Sequence, residues 1–294
     1  MDNSNPSSSP AEKIEEFSLP LFAFTVLASL AGLTLLLWLF APAAVWHTQV
    51  AAHWWQYLTT FLLLHLFMCF VEYVFHRYVL HRPVVPFLSR FYRQHTHHHN
   101  LTRIGSRRTP GGRELVCVEN RYPITEPEQG EASFFPWYTM LIFAFILAPL
   151  FALLQWLVPS WPWFAGGLGA LTLSLALYEV FHAIEHWPFE VWAPLVESRR
   201  LGWFWKHIYS FHLRHHAAIH SNEAISGFFT LPVADWVFGT AIFPKDLYRN
   251  GEKWLEENFA NPRPIWLIRW TDRYVDWLVK RRREKSARLM RQTA

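Results

Sequence analysis

The chain alternates between long stretches without a charge and stretches crowded with them. From Phe17 to Val71 there is no Asp, Glu, Lys or Arg, and a second charge-free stretch runs from Ala132 to Tyr178. A helix needs about 20 predominantly apolar residues to cross the hydrocarbon core of a bilayer, so each stretch is long enough for two crossings. Pro42 and the polar WHTQ at 46–49 divide the first stretch into spans of about Leu19 to Phe40 and Ala52 to Phe75. The second of these opens with Trp54, Trp55 and Tyr57, residue types that gather at membrane interfaces. VPSWPW at 158–163 divides the other stretch into spans of roughly 135 to 157 and 163 to 181. Buried helices of a soluble domain would need two such charge-free hairpins by coincidence. The pattern predicts an all-α integral membrane protein with four transmembrane helices.

Composition agrees, with 52% hydrophobic residues and 18% aromatic ones, but the placement of charge adds more. One Lys lies in the first sixteen residues, nine Arg lie from Arg77 to Arg121, and the other seventeen basic residues follow the fourth span, which accounts for all 27. The turns after the first and third spans have none. Short cytoplasmic loops carry the Lys and Arg excess, so both termini, the 77–133 segment and everything after 182 are expected on the cytoplasmic face. Residues 1–16, MDNSNPSSSPAEKIEE, are rich in Ser, Pro and acid; they read as a disordered tail and lack the basic start of a signal peptide. The two cysteines, Cys69 in an apolar run and Cys117 in a polar one, read as unpaired thiols.

Twelve of the sixteen histidines occur in four short clusters next to the cytoplasmic ends of the spans. HRYVLH carries His76 and His81; HTHHH carries His95, His97, His98 and His99; HAIEH carries His182 and His186; HLRHHAAIH carries His212, His215, His216 and His220. Residues three and four apart share a helix face, so His95, His98 and His99, and again His212, His215 and His216, are expected to aim three imidazoles at one point. His182 and His186 do the same. His97, roughly 200° around from His95 at ~3.6 residues per turn, is expected to point away. His76 and His81 are five apart and share no α-helical face, but Pro83 disfavours helix at Arg82, and an unwound last turn would bring both inward. The isolated His47, His53 and His65 are expected only to hydrogen-bond. Ten convergent imidazoles exceed the four to six ligands of one ion and point to two metals. Imidazole alone suits Zn, Cu, Fe or Ni.

These clusters, in this order and each beside a membrane span, resemble the signature of the fatty acid hydroxylase and sterol desaturase superfamily, integral-membrane non-haem di-iron oxygenases. EYVFHRYVLH at 72–81 and GFFTLPVADWVFGT at 227–240 look like its fatty acid hydroxylase branch. The resemblance covers about residues 64–243. It departs in the long polar segment 101–137 and in the absence of a fused cytochrome b5 signature. It divides the chain into the 1–16 tail, a 17–63 membrane hairpin, a 64–243 catalytic domain and a basic 244–294 region. It also implies that the ten convergent histidines, the clusters without His97 and His220, hold two iron ions, with zinc able to substitute, in a cytoplasmic helical cap. Dioxygen would be the co-substrate and a fatty acyl or sterol-like lipid would be hydroxylated. The setting implied is a bacterial inner membrane, or the endoplasmic reticulum in a eukaryote. A desaturase or carotenoid hydroxylase on the same scaffold is the near alternative, and a zinc-dependent membrane hydrolase the distant one.

Glu72, Glu179, Glu185, Asn222 and Asp235 are candidates to orient the imidazoles. With no Gly-x-Gly-x-x-Gly fingerprint, iron–sulfur cysteine cluster or b5 motif in the sequence, electrons are expected from a separate reductase with a cytochrome b5- or ferredoxin-like carrier. From 264 onward, Trp266, Trp270, Tyr274, Trp277 and Leu278 follow helical spacing, with Arg269, Asp272, Arg273, Asp276 and Lys280 on the other side. That helix is expected to lie in the membrane interface, its basic residues meeting anionic headgroups or an acidic carrier. The same basics carry no nucleic-acid motif, and no nucleic-acid partner is expected.

Overall fold

The computed structural model describes residues 18–120, 136–187, 189–243, 247 and 261–293. The expected tail at 1–16 lies outside them, as do 121–135 and 248–260.

Helix α1 covers Leu19–Phe40, α2 Ala43–Ala51 and α3 Trp54–Phe75. The last continues as a π-helical turn, His76–Leu80. Helix α4 is Ser89–Leu101, strands β1 and β2 are Thr102–Arg108 and Glu114–Asn120, α5 is Thr139–Leu157 and α6 is Trp163–Glu185. Four shorter or surface helices follow: α7 (Phe189–Val196), α8 (Gly202–Ala217), α9 (Val233–Phe238) and α10 (Trp266–Thr293).

Four helices, Leu19–Phe40, Trp54–Leu80, Thr139–Leu157 and Trp163–Glu185, are long and apolar enough to cross a membrane, as the charge-free stretches indicated. Their outward side chains include Phe24, Leu27, Trp38, Phe145 and Trp156, all exposed. Water would not tolerate so much contiguous apolar surface; lipid does. The polar WHTQ, expected as a turn, instead lies in α2. Its Gln49 is buried, accepts hydrogen bonds from the Phe164 and Ala165 amides and donates to Gln155. Those two amides open α6 and have no partner within the helix, so Gln49 fastens the start of α6 and the end of α5 together.

Helices α3 and α6 pack closely because α6 presents glycine to its neighbours. A Cβ on Gly166 would come within 2.2 Å of the Thr60 hydroxyl, and one on Gly167 within 2.6 Å of the Phe151 ring. Small residues that let backbones approach are the usual means of packing helices where lipid removes the hydrophobic drive. The membrane core then fills with Leu64, Met68, Met140, Leu147, Phe151, Leu168 and Leu171.

Against one end of the bundle sits a cap of α4, the β1–β2 hairpin, α7, α8 and the loop leading to α9. The hairpin is antiparallel, with Thr102 opposite Asn120 and Arg108 opposite Glu114. It is an addition to the all-α expectation, although helix dominates the described residues. Leu115 and Val116 pack with Trp192, Val196, Tyr209 and Leu213 beneath it.

Candidate metal centre

Helices α3 and α6 end on the cap side, and each delivers two histidines there. In α3 the delivery depends on the π-turn: the His81 amide donates to the His76 carbonyl, five residues back, at 3.1 Å. A five-residue repeat brings two residues onto one side that an α-helix would separate. The His76 and His81 rings lie 5.0 Å apart and 16° from parallel. The helix therefore widens here, where an unwound turn was expected. His182 lies in the last turn of α6 and His186 caps it. The other two clusters sit on α4 and α8.

All ten expected residues converge, in two groups of five. His76, His81, His95, His99 and His215 form one; His98, His182, His186, His212 and His216 form the other. In each, one ring nitrogen per residue lies within 4.8 Å of all the others, so either group can hold a metal ion. His97 belongs to neither, as expected, and His220 is exposed. The expectation that each His-x-x-His-His run aims three rings at one point is corrected. His95 and His99 serve the first group while His98 serves the second; His212 and His216 serve the second while His215 serves the first. The reason is angular: residues four apart are separated by about 40° around a helix, but neighbours by about 100°. Each helix lies between the groups and contributes to both. The groups adjoin, with the His99 and His216 rings 4.4 Å apart.

Distances within the groups fit metal ligation better than hydrogen bonding. His95 Nε2 lies 3.0 Å from His76 Nε2, 3.3 Å from His81 Nε2 and 3.1 Å from His99 Nε2. In the second group His212 Nε2 is 2.8 Å from His186 Nε2 and 2.9 Å from His216 Nε2. A nitrogen of a neutral imidazole carries one hydrogen or one lone pair, so it cannot bond to three others at once. Nitrogens about 2.0–2.1 Å from a shared ion would stand roughly 2.8–3.4 Å apart. His98 makes the same point: it is 1% exposed and neither ring nitrogen has a hydrogen-bond partner.

Burial first, and the neighbouring imidazoles after it, hold His81, His95, His98, His99, His186, His212 and His216 well below the ordinary histidine range. His215 is brought down to about 4, also chiefly by burial. These rings are neutral at physiological pH, the form a metal requires.

Beyond the rings, Glu72, Asn222 and Asp235 have partners other than the imidazoles expected. Of the five candidates, Glu185 comes near an imidazole, with its carboxylate 3.3 Å from His212 Nδ1 but out of hydrogen-bond alignment. Glu72 accepts from the Ser226 and Gly227 amides. Asn222 bonds the Phe211 and Ile242 backbone. Asp235 accepts from the Glu223 and Ala224 amides and the Thr240 hydroxyl. Glu179 is buried. Three rings have Nδ1 partners among the described contacts: the carbonyl of Glu223 for His76 at 2.6 Å, the carbonyl of Ser221 for His215 at 2.9 Å and the hydroxyl of Thr102 for His216 at 2.9 Å. Such partners fix the ring and leave Nε2 for a metal.

Beside His76 a small cleft of about 50 Å³ opens between α3, α5 and α6. Met68, Val71, Phe75, Phe143, Leu171 and Leu175 make most of its wall, with Glu72, Ser174, Tyr178 and Ser226 also lining it. The chain matches no protein-family model, no curated protein and no solved structure.

The isolated histidines behave as expected where they are buried: in His65, Nε2 accepts from the Phe229 amide and Nδ1 meets the Ser174 hydroxyl. Cys69 is a buried free thiol. Two features escaped the sequence reading. The Thr102 hydroxyl and the carbonyls of Ser221 and Glu223 carry no ligand signature, because a lone threonine is common and every residue type has a carbonyl. Asp272, expected on the outer polar side of α10, faces inward and pairs with Arg77 at 2.7 Å.

Proposed function

We propose that the protein is an oxygen-dependent lipid hydroxylase whose two histidine groups each hold an iron ion. The observation that carries this reading is the sorting of ten imidazoles into two adjoining groups of five beside an apolar cleft. When bound, a pair of imidazole-held irons supplies reductive activation of dioxygen and removal of hydrogen from an unactivated carbon. The protein's own part is placement. The Nδ1 contacts of His76, His215 and His216 hold those rings in one orientation, and the buried walls keep water from the reacting carbon.

The cleft supports a fatty acyl or sterol-like substrate, since an apolar chain entering between α3, α5 and α6 reaches His76 without leaving the lipid. Sidedness belongs to the proposal too: the distribution of all 27 basic residues favours a cytoplasmic cap. Helix α10, with Trp266, Trp270, Tyr274 and Trp277 exposed, would then lie along that membrane surface. Electrons come from a separate donor.

The test is incubation of protein-containing membranes with a reductase system under labelled dioxygen, followed by mass spectrometry of the lipids. A hydroxylated lipid carrying the label is expected. Label arriving from water would replace the oxygenase by hydrolytic metal chemistry, and an unlabelled lipid with one more double bond would make the protein a desaturase.

A further inference from the structure

The loop after α8 is bent at Asn222, whose φ of 57° is left-handed. The bend turns two nearby carbonyls toward the same histidine group: Ser221 accepts from His215 Nδ1 and Glu223 accepts from His76 Nδ1. Ser221, Asn222 and Glu223 are fully buried, so the loop is a fixed part of the interior. The second group is approached differently: a side-chain hydroxyl, Thr102, meets His216 Nδ1, and the Glu185 carboxylate lies 3.3 Å from His212 Nδ1.

The loop is in turn held from the surface. The Glu223 carboxylate accepts from Arg77 at 2.8 Å, and Arg77 donates again to the His220 carbonyl at 3.1 Å. Arg77 Nε and Nη2 grip both oxygens of Asp272 on α10, at 3.0 and 2.7 Å. This two-pronged pairing suits a guanidinium and fixes direction as well as distance. Arg77 is 2% exposed, Asp272 18%. Arg82 reaches Asp272 at 3.4 Å and Asp276 at 2.9 Å, adding a second clasp on the same helix.

We infer that Glu223 and Asp272 are positioning residues for the first histidine group alone, linking the seating of surface helix α10 to how well that group binds metal. The inference rests on the reading of the groups as metal sites. Its path is contiguous: Asp272 to Arg77, Arg77 to Glu223, and Glu223 through its own carbonyl to His76. Removing the charge at either carboxylate frees Arg77 to draw the loop out of place, and the carbonyls of Ser221 and Glu223 move with it. The rings of His215 and His76 then lose the bonds that aim Nε2. Loss of such an orienting contact lowers metal affinity by about 10–100-fold.

The experiment titrates the metal-stripped full-length protein in detergent with cobalt(II), following visible absorbance and bound metal per chain. His215→Ala gives the spectrum of the second group by itself. Wild type is expected to take up two equivalents. Asp272→Asn and Glu223→Gln are expected to keep one with the spectrum of the second group and to weaken the other tenfold or more. Asp272→Glu, which restores the charge, is expected to recover much of that loss. If Glu223→Gln does not fold, Asp272→Asn on the surface helix decides alone. Two equivalents bound as in wild type by Asp272→Asn would overturn the inference while leaving the metal reading intact. Parallel weakening of both equivalents would overturn it as well, since it would reveal a general support of the scaffold. A wild type that takes up no cobalt would remove the metal reading and the inference together.

Discussion

His98 and His99 are adjacent in the chain but serve different groups: their rings stand 5.6 Å apart at 82°, with His99 beside His215 and His98 beside His182 and His186. One rigid helix, α4, thereby sets the spacing between the two groups, and α8 repeats the arrangement with His215 and His216.

Single substitutions should therefore separate the groups. His98→Ala is expected to leave the first group filled, and His215→Ala the second, each lowering metal from about two to about one ion per chain. His97→Ala should retain both. Elemental analysis of anaerobically purified protein checks this, and equal loss at His97 would show that the half-buried ring ligates after all.

Packing of α3 on α6 should control both groups at once, because these helices carry His76, His81, His182 and His186. Gly166→Leu places carbon where the Thr60 hydroxyl already lies, 2.2 Å from an ideal Cβ. Overpacking of this kind costs roughly 1–3 kcal/mol, and both metal equivalents should weaken with the melting temperature. Gly32→Leu in α1, where nothing lies within 4 Å, is the control expected to melt as wild type.

Acid should unfold the metal-free protein early. The cap imidazoles have folded-state pKa values below the ordinary 6.5, and His215 lies at about 4. Below pH 6.5 the unfolded chain binds protons that the folded chain refuses, so stability falls with pH through the window from about 6.5 to about 4. Above 6.5 both states are neutral and this slope vanishes. Denaturant midpoints measured across that window check the sign; a midpoint that rises on acidification would refute it.

Labelling should reveal the sidedness. Thr48 and Ser160 lie at the end of the bundle opposite the cap, where the Thr48 hydroxyl reaches the Pro159 carbonyl at 3.3 Å. With a cytoplasmic cap, Cys at either position in intact cells is expected to react with an impermeant reagent from outside. Reaction only after the membrane is opened would invert the orientation.

The order of spans could be read from the chain alone because crossing a bilayer is a local demand: length and freedom from charge suffice, and Leu19–Phe40 matches the charge-free pattern. Which histidines converge was also legible, since their types and short spacings mark them out from His47, His53 and His65. How they divide between two groups was not, because that depends on where a helix lies between two neighbours. The inward turn of Asp272 had the same cause. Helical spacing placed it among polar residues, but Arg77, 195 positions earlier, decides its direction, and a buried guanidinium without a carboxylate would be costly. The carbonyls of Ser221 and Glu223 lay furthest from view. Every residue carries that group, and only the bend at Asn222, held by contacts with Phe211 and Ile242, aims these two at His215 and His76.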